Sequence, residues 1–212
     1  ADDNASGSAA VMATAEALRG YDLPYTIRYV LTTGEEQGLY GSRAYAAALA
    51  DGNEEIAAVV NLDMIAFNSD GDPNLGDPVL SDPVINLHTR DGTDGEADAA
   101  IARVFADVVH AYGLDLLPVI VASNMRRSDH APFWSEGYPA IAAGEDFSDF
   151  NWDNYHTSED RLATLDMIYY TDFARAAAAT TMHLAGVVDV SHEPLVVDAG
   201  KPVTLSVVSH LV

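Results

Sequence analysis

Short runs of β-branched and aromatic residues alternate with stretches of helical period along this chain, and that alternation narrows the fold more than any other feature. Tyr25 to Thr33 reads as a buried strand, about Leu39 to Ala50 as the helix after it, and Ile56 to Leu62 as the next strand. Apolar positions from Ala9 to Leu18 recur at helical spacing behind Asp, Asn and Ser, which cap helix N-termini, so a first helix spans about 6–19. Strands separated by helices pair in parallel, with helices on both faces. The predicted architecture is a three-layer α/β/α sandwich around a mostly parallel mixed sheet.

Further along, 68–84 is dense in Asp, Asn, Gly and Pro and reads as a long loop, followed by a strand from Val84 to Thr89. Glu96 to Tyr112 has the period of an amphipathic helix, Pro118 to Ala122 and Tyr138 to Ala142 are short strands, and the last helix runs about 165–186. Residues 1–187 form the predicted main domain. Pro194 to Val212 alternates in β fashion around Gly200-Lys201-Pro202, so 188–212 is expected to be a C-terminal β hairpin at the sheet edge or the start of another domain.

Charge and cysteine content remove several classes of function. A formal charge of −23, from 33 acidic against 10 basic residues, repels nucleic acid and anionic membranes. It fits a salt-loving source, a preference for cationic substrates or a coding bias equally well. No run of about 18 apolar residues exists and the first residues are polar, so neither a membrane span nor a signal peptide is expected in the chain shown. With no cysteine, any metal must be held by carboxylate and imidazole.

In an open α/β sheet the ligand crevice lies beyond the carboxyl ends of the parallel strands. Glu35 and Glu36 follow the first strand, Asp63 closes the second, and Asp3 precedes the first helix, so these carboxylates are expected to meet at one rim. Clustered carboxylates repel one another unless cations sit between them, which points to a metal centre. Singly, each has an ordinary role: Asp3 as a helix cap, Glu35 and Glu36 as a charged first turn, Asp63 as a strand-end turn residue, His156 as a solvated loop histidine.

Five islands carry a resemblance: Asp3-Asn4-x-Ser6-Gly7-Ser8, Glu35-Glu36-x-Gly38-Leu39-x-Gly41-Ser42, Asn61-x-Asp63-Met64, Arg127-Ser128-Asp129-His130-x-Pro132-Phe133 and Tyr155-His156-Thr157. In order and local sequence, about 1–187 resembles the co-catalytic dizinc aminopeptidases, a superfamily that includes aminopeptidase Y, glutamate carboxypeptidase II, glutaminyl cyclase and the transferrin receptor ectodomain. The resemblance implies two zinc ions bridged by Asp3, with Glu36 and His156 on one and Asp63 on the other. It implies Glu35 as general base and Tyr155 as the hydrogen-bond donor to the developing oxyanion; Tyr155 is otherwise a buried aromatic with a satisfied hydroxyl. Arg127 matches an arginine that in some relatives borders the substrate site and contacts the substrate's carboxyl side, and otherwise offsets Asp129 at the surface. Met125, Phe147, Phe150 and Trp152 are candidates for the side-chain pocket or for ordinary core.

One departure stands out. The family draws a further histidine from a His-x-Asp segment on an earlier strand, and none precedes Asp3 here. The expectation is therefore a chain lacking its N-terminal strands, with the Asp3, Glu36 and His156 site nearly intact and its neighbour short of a ligand, so that activity of the fragment alone stays open. His130 is read as pocket wall, and His88, His110, His183, His192 and His210 as lacking companion ligands.

The function implied is a zinc aminopeptidase releasing apolar N-terminal residues from peptides. The alternatives are a related carboxypeptidase, a glutaminyl cyclase, or a non-catalytic relative of the fold. Secretion or a periplasmic location is expected by resemblance. Self-association through an open sheet edge or the C-terminal hairpin is expected if strands are lacking.

Overall fold

The computed structural model of the chain describes residues 1–68, 83–148 and 151–186, together with the backbone of 204–210. In chain order the elements are α1 (Gly7–Leu18), β1 (Thr26–Thr32), α2 (Tyr40–Asp51), β2 (Ile56–Leu62), β3 (Val84–Thr89), α3 (Glu96–Ala111), β4 (Leu117–Ala122), α4 (Ala131–Ser135), β5 (Ala140–Glu145), α5 (Met167–Leu184) and β6 (Thr204–His210). The strands form one sheet in the order β1-β6-β2-β5-β3-β4. All neighbours are parallel except β3 and β5.

Helices cover both faces, as the alternation predicts. On one side Ala58, Val60 and Leu62 of β2 pack with Val11 of α1, Phe105 of α3 and Phe173 of α5. On the other, Ile56 and Val59 meet Ala46 and Leu49 of α2 and Phe133 and Trp134 of α4. From Ala58 onward the side-chain period of a strand divides β2 between two cores, Ile56 reaches the second core across a register shift between Ile56 and Ala58, and the run of apolar residues records burial on both faces. Phe105 and Phe173 meet edge to face with centroids 5.9 Å apart; truncating either ring to Ala would cost roughly 3–5 kcal/mol.

Two sequence expectations change. Of 188–212 the structure describes 204–210, and this segment is no edge hairpin: β6 lies inside the sheet, registered in parallel with β1 from Thr26↔Thr204 to Thr32↔His210 and with β2 on its other side. The expected turn at Gly200-Lys201-Pro202 lies outside the described residues, as does nearly all of the 68–84 loop. β6 pairs on both edges, so it offers no open edge for self-association; among the described residues the sheet's edges are β1 and β4. A strand's own sequence specifies its pleat but not which distant strands flank it, which is why 204–210 reads as β yet its place was hidden.

The parallel run of β1, β6, β2 and β5 sets their carboxyl ends at one rim. That rim carries Glu35 and Glu36 after β1 and Asp63 after β2.

Candidate metal centre

Asp3, Glu36 and His156 converge at this rim. His156 Nε2 lies 3.2 Å from Asp3 Oδ2 and 2.9 Å from Glu36 Oε1, and one ligand atom from each residue falls within 4.8 Å of the others. One ring N–H cannot serve two carboxylates equally, whereas an ion with bonds of about 2.0–2.2 Å would satisfy all three. A nitrogen and two carboxylate oxygens are a donor set that zinc accepts, so these residues fit the metal the motifs imply.

Asp3 is held by backbone stitching on two sides. Asp160 accepts the N–H of Asp2 at Oδ1 (2.9 Å) and that of Asp3 at Oδ2 (3.1 Å). The segment is also sewn to the turn after β2. Asn4 Nδ2 donates to the Leu62 carbonyl (2.9 Å), Asn4 Oδ1 accepts the Met64 N–H (3.3 Å), Ser6 Oγ accepts that of Ile65 (3.2 Å), and Asp2 Oδ1 accepts that of Ala66 (3.0 Å). The Asp-Asp-Asn-x-Ser spelling is therefore a set of short polar side chains that dock one carboxylate loop on another.

The Glu35-Glu36 turn closes on itself: the N–H groups of Gly38 and Leu39 both reach the Glu35 carbonyl, at 2.9 and 2.8 Å. Gly41 begins α2 so close to β1 that a Cβ there would stand 2.6 Å from the Thr33 carbonyl oxygen, which explains the glycine in that motif. At Gly144 in β5 a Cβ would meet the Asp63 carbonyl oxygen and the Phe147 ring, each at 2.7 Å. Leu39, Met64 and His156 adopt positive φ of 61°, 52° and 58°. Non-glycine residues seldom hold that conformation, and here it occurs beside each metal-facing segment.

Asp63 is 9 % exposed and lines the same cavity, but it stands outside the three-residue cluster. Ser128 Oγ donates to Asp63 Oδ2 and itself accepts from Asn61 Nδ2 at 2.6 Å. Next to it Asp129, wholly buried, accepts from Thr32 Oγ1 at 2.5 Å and from Ser42 Oγ. Asp129 is thus no surface partner for Arg127. The Ser128-Asp129 island braces both carboxylate loops from beneath, a role that leaves no period or spacing in the sequence. Asp160 was equally illegible as one acid among 33.

The cavity at the rim measures about 800 Å³ and is lined by Asp3, Glu35, Glu36 and Asp63, by Tyr155, and by Met125, Arg127, Phe147 and Trp152. These are the expected site and pocket residues; Phe150 lies outside the described residues. His88 and Ser123 also line it, with His88 Nδ1 3.0 Å from Ser123 Oγ and its ring stacked on Phe147 at 5.2 Å. Burial lowers the His88 pKa. Tyr155 stacks on His156 with ring centroids 3.7 Å apart. Burial first, and then the charges of Asp3, Glu36, Asp63 and Glu35, push its phenol up to about 12.

Among the remaining histidines, His130 is buried with Nε2 2.7 Å from the Met125 carbonyl, and burial brings its pKa down to about 4. It belongs to the wall beside Trp134, against which its ring stands at 4.3 Å. His110 is exposed, and His183 contacts Tyr112. His192 lies outside the described residues, and the backbone of His210 ends β6 opposite Thr32.

A mixed α/β sheet with carboxylates and an imidazole gathered at the rim of its parallel strands defines a metallopeptidase-type domain. Residues 1–181 match the family model described as Peptidase family M28, and the chain belongs to that family. It is 29 % identical over 216 residues to a protein named "Probable zinc metalloprotease" from Leptosphaeria maculans, covering 92 % of this chain and 49 % of the relative. Leucine aminopeptidase 1 of Ajellomyces capsulatus is 27 % identical over 191 residues, covering 87 % and 47 %. Among solved structures, the LapA aminopeptidase of Legionella pneumophila superposes with a TM-score of 0.68 at 25 % identity, covering 89 % of this chain and 47 % of that one. The γ-secretase component nicastrin shares the fold at 12 % identity, with a TM-score of 0.70 over 89 % and 37 %. The chain spans about half the length of the curated relatives it matches.

Proposed function

We propose that this chain carries the catalytic site of a zinc-dependent aminopeptidase that removes apolar N-terminal residues from peptides. The observation that carries the reading is the meeting of His156 with Asp3 and Glu36, two carboxylates that line one cavity together with Glu35, Asp63 and Tyr155. Names of relatives at 24–29 % identity, zinc metalloprotease and leucine aminopeptidase, support it.

Asp3, Glu36 and His156 would hold one zinc, with Asp3 and Asp63 facing a second; bound there, the metals supply a water of lowered pKa and polarise the scissile carbonyl. Glu35, half-buried beside Glu36, takes the proton of that water and delivers it to the leaving amine. Burial favours the neutral phenol of Tyr155, which keeps its proton and donates a hydrogen bond where negative charge builds on the carbonyl oxygen. The carboxylates attract the substrate's α-ammonium, and Met125, Phe147 and Trp152 offer apolar surface to the first side chain.

The test is hydrolysis of leucine p-nitroanilide by the zinc-loaded protein, with loss of turnover and retention of zinc in Glu35→Gln. A protein that binds zinc and cleaves no aminoacyl substrate would overturn the reading in favour of a non-catalytic member of the fold.

A further inference from the structure

β4 closes one side of the sheet, and among the described residues no strand lies on its outer edge. Its sequence is ill suited to that position. From Leu116 to Met125 the chain carries no charged side chain, although charged residues make up 20 % of the whole. Leu117, Val119 and Ile120 are 47, 41 and 40 % exposed. Proteins usually guard a free edge with charge, and β1 at the far side of the sheet does so: Arg28 stands within it, paired with Glu54, and its large apolar side chains are all partly buried. An uncharged, apolar edge strand is instead a template for pairing with another strand.

The backbone pattern selects the strand that fits. β4 runs in unbroken register with β3 from Val84↔Leu117 to Thr89↔Ala122, and the N–H groups of Leu117 and Ser123 turn inward to the carbonyls of Pro83 and Thr89, at 2.8 and 3.2 Å. Successive residues of a strand alternate, so the backbone groups of Pro118, Ile120 and Ala122 turn outward. Pro118 has no N–H, which leaves Ile120 and Ala122 as the outward donors. A second β4 laid antiparallel about a two-fold axis at Ile120 satisfies both. Ile120 of each copy exchanges N–H and carbonyl with its mate, and the Ala122 N–H of each reaches the Pro118 carbonyl of the other. Val119 then stands beside Val121 of the second copy, which gathers the exposed apolar side chains near the axis. Opposite charges meet as well. Exposed Asp115 stands just before β4 and exposed Arg126 and Arg127 just after it, so antiparallel pairing brings the acidic end of each strand to the basic end of the other.

We propose that β4 is a homodimerisation edge, which pairs antiparallel with β4 of a second copy of this chain and continues the sheet across the interface. Two copies each of charge −23 repel at long range, so the dimer tightens as salt screens that repulsion. β4 leads directly into Ser123 and Met125 of the cavity wall, so the contact adjoins the candidate metal centre of both copies.

Sedimentation of the full chain over a range of concentrations, joined to a single-cysteine cross-link, tests the proposal. The chain has no cysteine, so Ile120→Cys supplies its only thiol, and the axis sets the two copies of that residue at a Cα separation of about 5.5 Å, within the disulfide range. The expected results are a monomer–dimer equilibrium that tightens at high salt and, on mild oxidation, a covalent dimer of Ile120→Cys but not of Leu117→Cys, whose mate in this register is Ser123. Ile120→Lys sets two like charges at the axis and should weaken the dimer by roughly tenfold or more. In the wild type, amide hydrogen exchange at Ile120 and Ala122 should slow as concentration rises, a readout that needs no variant. Monomer at every concentration overturns the proposal. So does a dimer in which those amides exchange as fast as in the monomer, since it forms through another surface. Protection of the same amides in a monomer overturns it too, because another part of the chain then covers β4.

Discussion

Asp160 accepts the backbone N–H of Asp3 at 3.1 Å, so the turn that presents His156 also fixes the backbone of the carboxylate His156 faces. Ligand and brace come from one short segment, and the second oxygen of Asp160 holds Asp2 in the same way at 2.9 Å. Outer partners of this kind typically account for about 10–100-fold in metal affinity. Asp160→Ala should weaken zinc binding by roughly that factor, read by competition with a chromophoric chelator. Unchanged affinity would show that Asp3 needs no such support.

Glu35 lines the cavity beside the cluster without belonging to it. Substitution by Gln keeps shape and hydrogen bonding but removes the base, so kcat for leucine p-nitroanilide should fall by about 10²–10⁴-fold with zinc content unchanged. Zinc loss in parallel with activity would instead make Glu35 a ligand.

Tyr155 stacks on His156, and Phe would preserve that stack while deleting the donor. Tyr155→Phe is expected to lower kcat by roughly 10²–10³-fold. Because burial raises the phenol above its ordinary value, no alkaline limb from Tyr155 should appear in the wild-type rate profile below pH 10. A wild-type limb below that pH, abolished in Tyr155→Phe, would contradict the assignment.

Glu145, at the end of β5, is 1 % exposed, and its Oε2 accepts the Phe67 N–H at 3.0 Å. Burial first, then the charge of Asp2, raise its pKa well above 4.5. A carboxyl with a raised folded pKa binds its proton more tightly when folded. Its contribution to stability is whole below the unfolded value and is lost as pH climbs through the folded one. Wild-type protein should therefore lose more stability between pH 5 and pH 8 than Glu145→Gln, which keeps an acceptor for Phe67. Parallel urea midpoints for the two proteins would refute this.

Much of the layout was legible because strands and helices write their periods locally. β2 and β3 fall where Ile56 to Leu62 and Val84 to Thr89 place them, and the four helices read from the sequence, α1, α2, α3 and α5, agree to within two residues at each end, while the short α4 was not read. Asp3, Glu36 and His156 were legible only as parts of motifs, since an isolated Asp or His carries no such signal. Asp160 escaped, and Ser128 and Asp129 stood in a motif without their bracing role, because a side chain that braces a loop far away in sequence needs only the right atom in the right place. β6 escaped for a related reason: Thr204 to His210 alternates as a strand should, but the β1 and β2 edges it joins belong to the first third of the chain.

Anomalous diffraction at the zinc edge from crystals of the zinc-loaded protein tests the central claim most directly. The account predicts a peak about 2.0–2.2 Å from Asp3 Oδ2, Glu36 Oε1 and His156 Nε2 together, the bond lengths zinc takes with carboxylate and imidazole. A zinc peak elsewhere on the chain, with these three atoms unligated, would contradict it.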